Sequence, residues 1–106
     1  MSTIRIAAPE TASPGEVIEL KALIQHDMES GFRRDTYGKQ IPRFIIKNFQ
    51  CLYNGQQVFA AEFFPSVAAN PFLSFYARVE ESGTLEFRWI DEHGEAVSEQ
   101  RSILVQ

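Results

Sequence analysis

The sequence is poor in the residues that do chemistry. One cysteine, Cys51, excludes an internal disulfide and any zinc site built from several cysteine ligands, so the fold must stand on packing alone. Two histidines, His26 and His93, sit in no acid-base or nucleophile motif, and no catalytic residue is assigned. No run approaches the roughly 18 uninterrupted apolar residues of a membrane helix. The first residues, Met1 to Pro9, carry neither a basic leader nor a continuous apolar stretch, so the residues by themselves predict a cytoplasmic protein without a membrane anchor. The net charge of −4 speaks against general nucleic-acid binding.

Short apolar alternations separated by turn signals fill the chain. This is the pattern of an all-β protein, and residues 1–106 are read as one immunoglobulin-like antiparallel β-sandwich of about seven strands. The predicted strands are Thr3 to Ala7, Glu16 to His26, Phe44 to Tyr53, Gln56 to Phe64, and three more around Leu73 to Val79, Leu85 to Trp89 and Val97 to Val105. In the second, Ile18, Leu20, Ala22 and Ile24 alternate with Glu19, Lys21 and Gln25, as expected when one sheet face packs on a core and the other meets water. Asn54-Gly55 lies between β-forming runs. Both residues tolerate positive φ, which a type I′ turn requires, so the flanking strands should form a hairpin.

Cys51 falls on the inward side of its strand, with Ile45, Phe49 and Tyr53 in phase and Asn48 and Gln50 between them. Apolar burial raises a thiol's pKa and makes it inert, so Cys51 is expected to be a structural residue. A blue-copper centre would need two His, one Cys and usually a Met; no His or Met closely follows Cys51, so no cofactor or metal is assigned.

Two features point to a partner. Strand Gln56 to Phe64 has Phe59, Ala61 and Phe63 on one face and Val58, Ala60 and Phe64 on the other, and a two-layer domain covers only one face of each sheet. With Phe72 and Tyr76, opposite Leu73 and Phe75, the candidate partner surface is Phe59, Phe63, Phe64, Phe72 and Tyr76. The second feature is the long break from Asp27 to Pro42, a length that in a compact domain marks function; its two aromatics, Phe32 and Tyr37, argue that it is ordered. From residue 33 to residue 47, Arg33, Arg34, Lys39, Arg43 and Lys47 are opposed only by Asp35, whereas from residue 80 to residue 99, Glu80, Glu81, Glu86, Asp91, Glu92, Glu95 and Glu99 are offset only by Arg88. Phe32, Arg33 and Arg34 are therefore the candidate docking loop, for an anionic ligand or an acidic partner.

Several blocks, in order, carry a resemblance: His26-Asp27-Met28-Glu29-Ser30-Gly31-Phe32-Arg33-Arg34-Asp35, Gly38-Lys39-Gln40-Ile41-Pro42, Tyr53-Asn54-Gly55, Ala69-Asn70-Pro71-Phe72-Leu73-Ser74-Phe75 and Glu81-Ser82-Gly83-Thr84-Leu85-Glu86-Phe87. Together they resemble the Z subunit of SoxYZ, the bacterial sulfur-oxidation carrier complex, nearly end to end. Asp27 stands where the family loop often has Pro. The resemblance implies a non-enzymatic scaffold that pairs with a SoxY-type subunit, whose flexible Gly-Gly-Cys-Gly arm carries the intermediates of thiosulfate oxidation. It also implies transient contact with the other sulfur-oxidation enzymes. Localisation would be periplasmic, by co-export with the signal-bearing partner, which replaces the cytoplasmic expectation. The alternative from the residues alone is a stand-alone immunoglobulin-like adhesion or ligand-binding module.

Overall fold

A computed structural model describes residues 3–106. The strands are β1 (Ile4–Ala7), β2 (Thr11–Ala12), β3 (Glu16–Ile24), β4 (Ile46–Tyr53), β5 (Gln56–Glu62), β6 (Phe72–Val79), β7 (Gly83–Asp91) and β8 (Ala96–Val105). They form a three-stranded sheet, β1-β3-β6, and a five-stranded sheet, β2-β8-β7-β4-β5. All pairings are antiparallel except that of β2 with β8. The fold is an immunoglobulin-like β-sandwich, and there is no helix among the described residues. The seven expected strands are present. The eighth, β2, has two residues, too few to show an alternation in the sequence.

The alternations meet between the sheets. Ile18, Leu20, Ala22 and Ile24 of β3 face inward with Phe75, Ala77 and Val79 of β6, against Phe49, Cys51, Leu85, Phe87 and Trp89 of the other sheet. Phe49 is fully buried, with ring centroids 5.0 Å from Trp89, 5.8 Å from Phe75 and 6.2 Å from Phe59. Each such side chain stabilises the fold by about 1.5–3 kcal/mol relative to exposure. No polar or charged residue of the described chain is fully buried, but the Tyr53 hydroxyl is enclosed without a hydrogen-bond partner, and its desolvation offsets part of this term.

Two irregularities break the period of two along β4, one between Cys51 and Leu52 in its pairing with β5 and one near its start in its pairing with β7. A register shift between Ile46 and Asn48 lets Ile45 and Ile46, consecutive in sequence, both turn inward at 2% exposure. At the expected hairpin, Asn54 (φ 49°) and Gly55 (φ 84°) both take the positive φ of a type I′ turn. The tip is clipped to β7: the Asn54 amide donates to the Thr84 carbonyl (3.0 Å), and the Thr84 amide donates to Asn54 Oδ1 (3.0 Å).

The break between β3 and β4 is an ordered arm. Its base is closed by Glu29 and Phe44, whose amides each donate to the other's carbonyl at 2.9 Å. Further out, Ile41 donates to the Arg33 carbonyl and Asp35 to the Lys39 carbonyl, both at 2.9 Å. The Asp35 carboxylate caps the tip, accepting from the amides of Tyr37 and Lys39 at 2.9 Å each. Gly31, at φ 91°, lets the two legs approach, since a Cβ there would lie 3.1 Å from Cβ of Arg43.

Candidate interaction surfaces

Cys51 is fully buried, and its strand neighbours in register are Phe59 of β5 and Phe87 of β7. Burial pushes its thiol up to about 12. A thiolate is the reactive form of cysteine, and burial disfavours that form here at neutral pH.

The two histidines meet at the end of the sandwich from which the arm leaves. The Met28 amide donates to Nδ1 of His26 (2.9 Å), which makes Nε2 the protonated nitrogen of the neutral ring. The ring of Phe44 lies between them, edge-on to His26 at 5.1 Å and stacked on His93 at 4.7 Å. Beside them opens a cavity of about 500 Å³ lined by Ile24, Ile46, Trp89 and Val97, with His26, Asp91 and Glu95 as polar groups. Among the described residues no three His, Cys, Asp or Glu side chains gather as metal ligands would, and Cys51 is held between β5 and β7, apart from the cavity lining.

The five candidate partner residues divide into two groups. Phe64, Phe72 and Tyr76 are 58%, 55% and 64% exposed. Phe63 is buried, and Phe59 is half-buried with its ring stacked on Phe75 at 4.2 Å, so neither supplies free surface. Strand β5 is the edge of its sheet and runs near β6, the edge of the other. Its inward aromatics close the gap between the layers, a use of apolar residues that alternation alone cannot distinguish from a partner surface. Phe72 and Tyr76 stand on the outer face of β6, opposite Leu23 and Glu19 of β3, where Val17 adds a half-exposed apolar side chain. The Tyr76 hydroxyl and the Ser74 hydroxyl both donate to Oε2 of Glu19, at 3.3 and 3.1 Å. The outward phase of Val17 within β3 was the sequence signal for its exposure.

The arm also differs from its expectation. Phe32 and Tyr37 are 84% and 94% exposed, so its order comes from backbone hydrogen bonds and not from aromatic packing. Arg33 is committed to Glu29, with Nε to Oε2 at 3.1 Å and Nη2 to Oε1 at 2.5 Å; this hydrogen bonding, then the charge of the partner, raises the arginine and lowers the carboxyl. Arg43 pairs with Glu92 at 2.6 Å, and the Arg34 guanidinium donates to the Gly38 carbonyl at 2.9 Å. Arg34, Lys39 and Lys47 form no ion pair among the described residues. The candidate docking set of Phe32, Arg33 and Arg34 leaves out Tyr37 and Lys39, whose amides donate to the Asp35 carboxylate at the tip.

Solved structures share this fold. Superoxide reductase (neelaredoxin) from Ignicoccus hospitalis aligns with a TM-score of 0.75 at 17% identity, over 98% of this chain and 80% of that one. The sulfur carrier protein SoxY from Chlorobium limicola f thiosulfatophilum aligns with a TM-score of 0.69 at 16% identity, over 97% of this chain and 78% of that one. The CARDB domain of a Pyrococcus furiosus protein aligns with a TM-score of 0.54 at 10% identity, over 99% and 95%. At these identities the likeness is one of fold, and no curated protein sequence matches the chain. The sequence itself is matched from residue 4 to residue 102 by the family of the sulphur oxidation protein SoxZ. Over that span the match takes in every strand but the end of β8, together with the arm and the Asn54-Gly55 turn, and the chain belongs to the SoxZ family.

Proposed function

We propose that this chain is a non-catalytic subunit of a sulfur carrier, pairing with a SoxY-type subunit that holds the sulfur intermediates of thiosulfate oxidation on its own cysteine. The observation that carries this reading, within a family of sulfur oxidation, is Cys51. The one thiol of the sequence is locked in mid-strand with its pKa pushed up to about 12, whereas a carrier thiol has to ionise and reach several active sites. The surface offered to the partner is apolar and exposed: Phe72 and Tyr76 on the outer face of β6, and Phe64 beyond the end of β5. The proposal includes residence in the periplasm by export together with the partner.

The test is co-expression with the SoxY-type subunit of the same source, followed by measurement of the Kd. Replacing Phe64, Phe72 and Tyr76 together with Ser removes three exposed aromatics, and the loss of even one such interface anchor costs about 2 kcal/mol or more, so binding should weaken at least about 30-fold. Failure of the unaltered chain to pair refutes the function. Pairing that the triple replacement leaves unchanged refutes the surface.

A further inference from the structure

The Phe32–Gln40 arm is an organised structure with nothing covering it. Its legs are tied by the Arg33–Ile41 and Asp35–Lys39 backbone hydrogen bonds, yet every residue from 32 to 40 is exposed. A hairpin holding two aromatic rings in water with its backbone already ordered has lost the entropy that docking would otherwise take, and an aromatic ring brings about 150–250 Å² to an interface. Its charge is selective. Arg33 is neutralised by Glu29 and the Asp35 carboxylate is taken up by two amides of the turn, which leaves Arg34 and Lys39 as the outward cations on a chain of net charge −4.

We propose that this arm is a docking finger for an acidic protein surface flanking an apolar patch, on the enzymes that load and unload the carrier, with Phe32 and Tyr37 as anchors and Arg34 and Lys39 as steering charges. The proposal rests on the carrier reading above. Aromatic anchors beside cations suit a protein surface with carboxylates around an apolar centre. An anionic membrane fits less well, because each cation near such a surface contributes only about 1 kcal/mol and the arm carries two free ones on an acidic chain.

The experiment uses the intact complex with the SoxY-type subunit as the varied substrate of each purified enzyme that acts on it. The complexes compared carry the native chain, F32S/Y37S, or R34E/K39E. Native mass measurement comes first. If the native chain does not pair, the carrier reading fails; if only the variants fail to pair, the arm belongs to the subunit interface and the docking proposal is overturned. With pairing intact, the expected result is a KM for the complex raised about tenfold in both variants with kcat unchanged. The native KM should also rise between about 20 and 200 mM salt, and that of R34E/K39E should not. An unchanged KM in both variants overturns the proposal. So does light scattering that traces the variants' effect to loss of self-association.

Discussion

If Cys51 is structural, the folded protein should resist thiol reagents to a degree set by its site. An ordinary cysteine titrating at 9.0 is about one-tenth thiolate at pH 8; pushed to about 12, it is about one part in ten thousand thiolate, a loss of about 1000-fold in the reactive form. Access lowers the rate further, because β4 would have to separate from β5 and β7 before a reagent could reach a side chain with no exposed surface. The assay is labelling by an aromatic disulfide at pH 8, in buffer and in denaturing urea, at equal reagent. The native rate should be at least about 1000-fold slower. A native rate within about tenfold of the unfolded one would refute the reasoning. The same shift fixes the sign of a pH effect. A group whose pKa rises on folding contributes stability that is complete below its unfolded pKa and is lost as pH rises through the folded one, so the window is pH 9 to about 12. Between pH 8 and 11 the native chain should lose stability relative to Cys51→Ala. Cys51→Ser, which places an unpartnered hydroxyl in the core, should cost about 1–3 kcal/mol while carrier turnover holds.

A Cβ on Gly83 would collide with the Asn54 carboxamide, so Gly83→Ala should break the bond from the Thr84 amide to Asn54 Oδ1 at a cost of about 1 kcal/mol, seen as a Tm lower by about 4–8 °C. In an Asn54→Gly background, where that carboxamide is absent, the same change should be near neutral; an equal loss in both would contradict the clash. The Glu29 carboxyl is held below 4.5 by its hydrogen bond from Arg33, so the pair is complete above pH 4.5 and is lost as pH falls through the lowered value. The Arg33 Nε–H proton resonance should shift as pH falls through that lowered range, and the shift should shrink in Glu29→Gln, where Asp27 is the remaining acidic group acting on Arg33. Phe49→Ala, which removes the ring in contact with Trp89 and Phe75, should cost about 3–5 kcal/mol by urea unfolding; a loss below about 1 kcal/mol would place the core elsewhere.

The sandwich was legible because its long strands each keep one wet face. Along β3 the alternation named Ile18, Leu20, Ala22 and Ile24 as the inward face, and all four are buried. The Asn54-Gly55 turn needs two positive φ angles that few residues supply, and it formed where those residues stand. Legibility failed where the period of two ceased to carry information. On β5 both faces are apolar, so nothing in the pattern separates Phe59 and Phe63, which close the sandwich edge, from Phe64, which lies outside. Ile46 turned inward through a bulge, which inserts a residue without changing composition. The arm's order rests on backbone bonds between legs that share no periodicity, and its charge reading needed the pairing of Arg33 with Glu29, a geometric fact. The meeting of His26, Phe44 and His93 joins segments far apart in the chain, which topology alone brings together.

The most direct test of the central claim is the native mass of the complex that carries this chain, isolated from its own source while thiosulfate is being oxidised and then dissociated in the spectrometer. The account predicts a companion subunit in equal amount, with sulfur adducts on the companion's cysteine and none on Cys51. A chain that emerges alone, or one whose own Cys51 carries the sulfur, would contradict it.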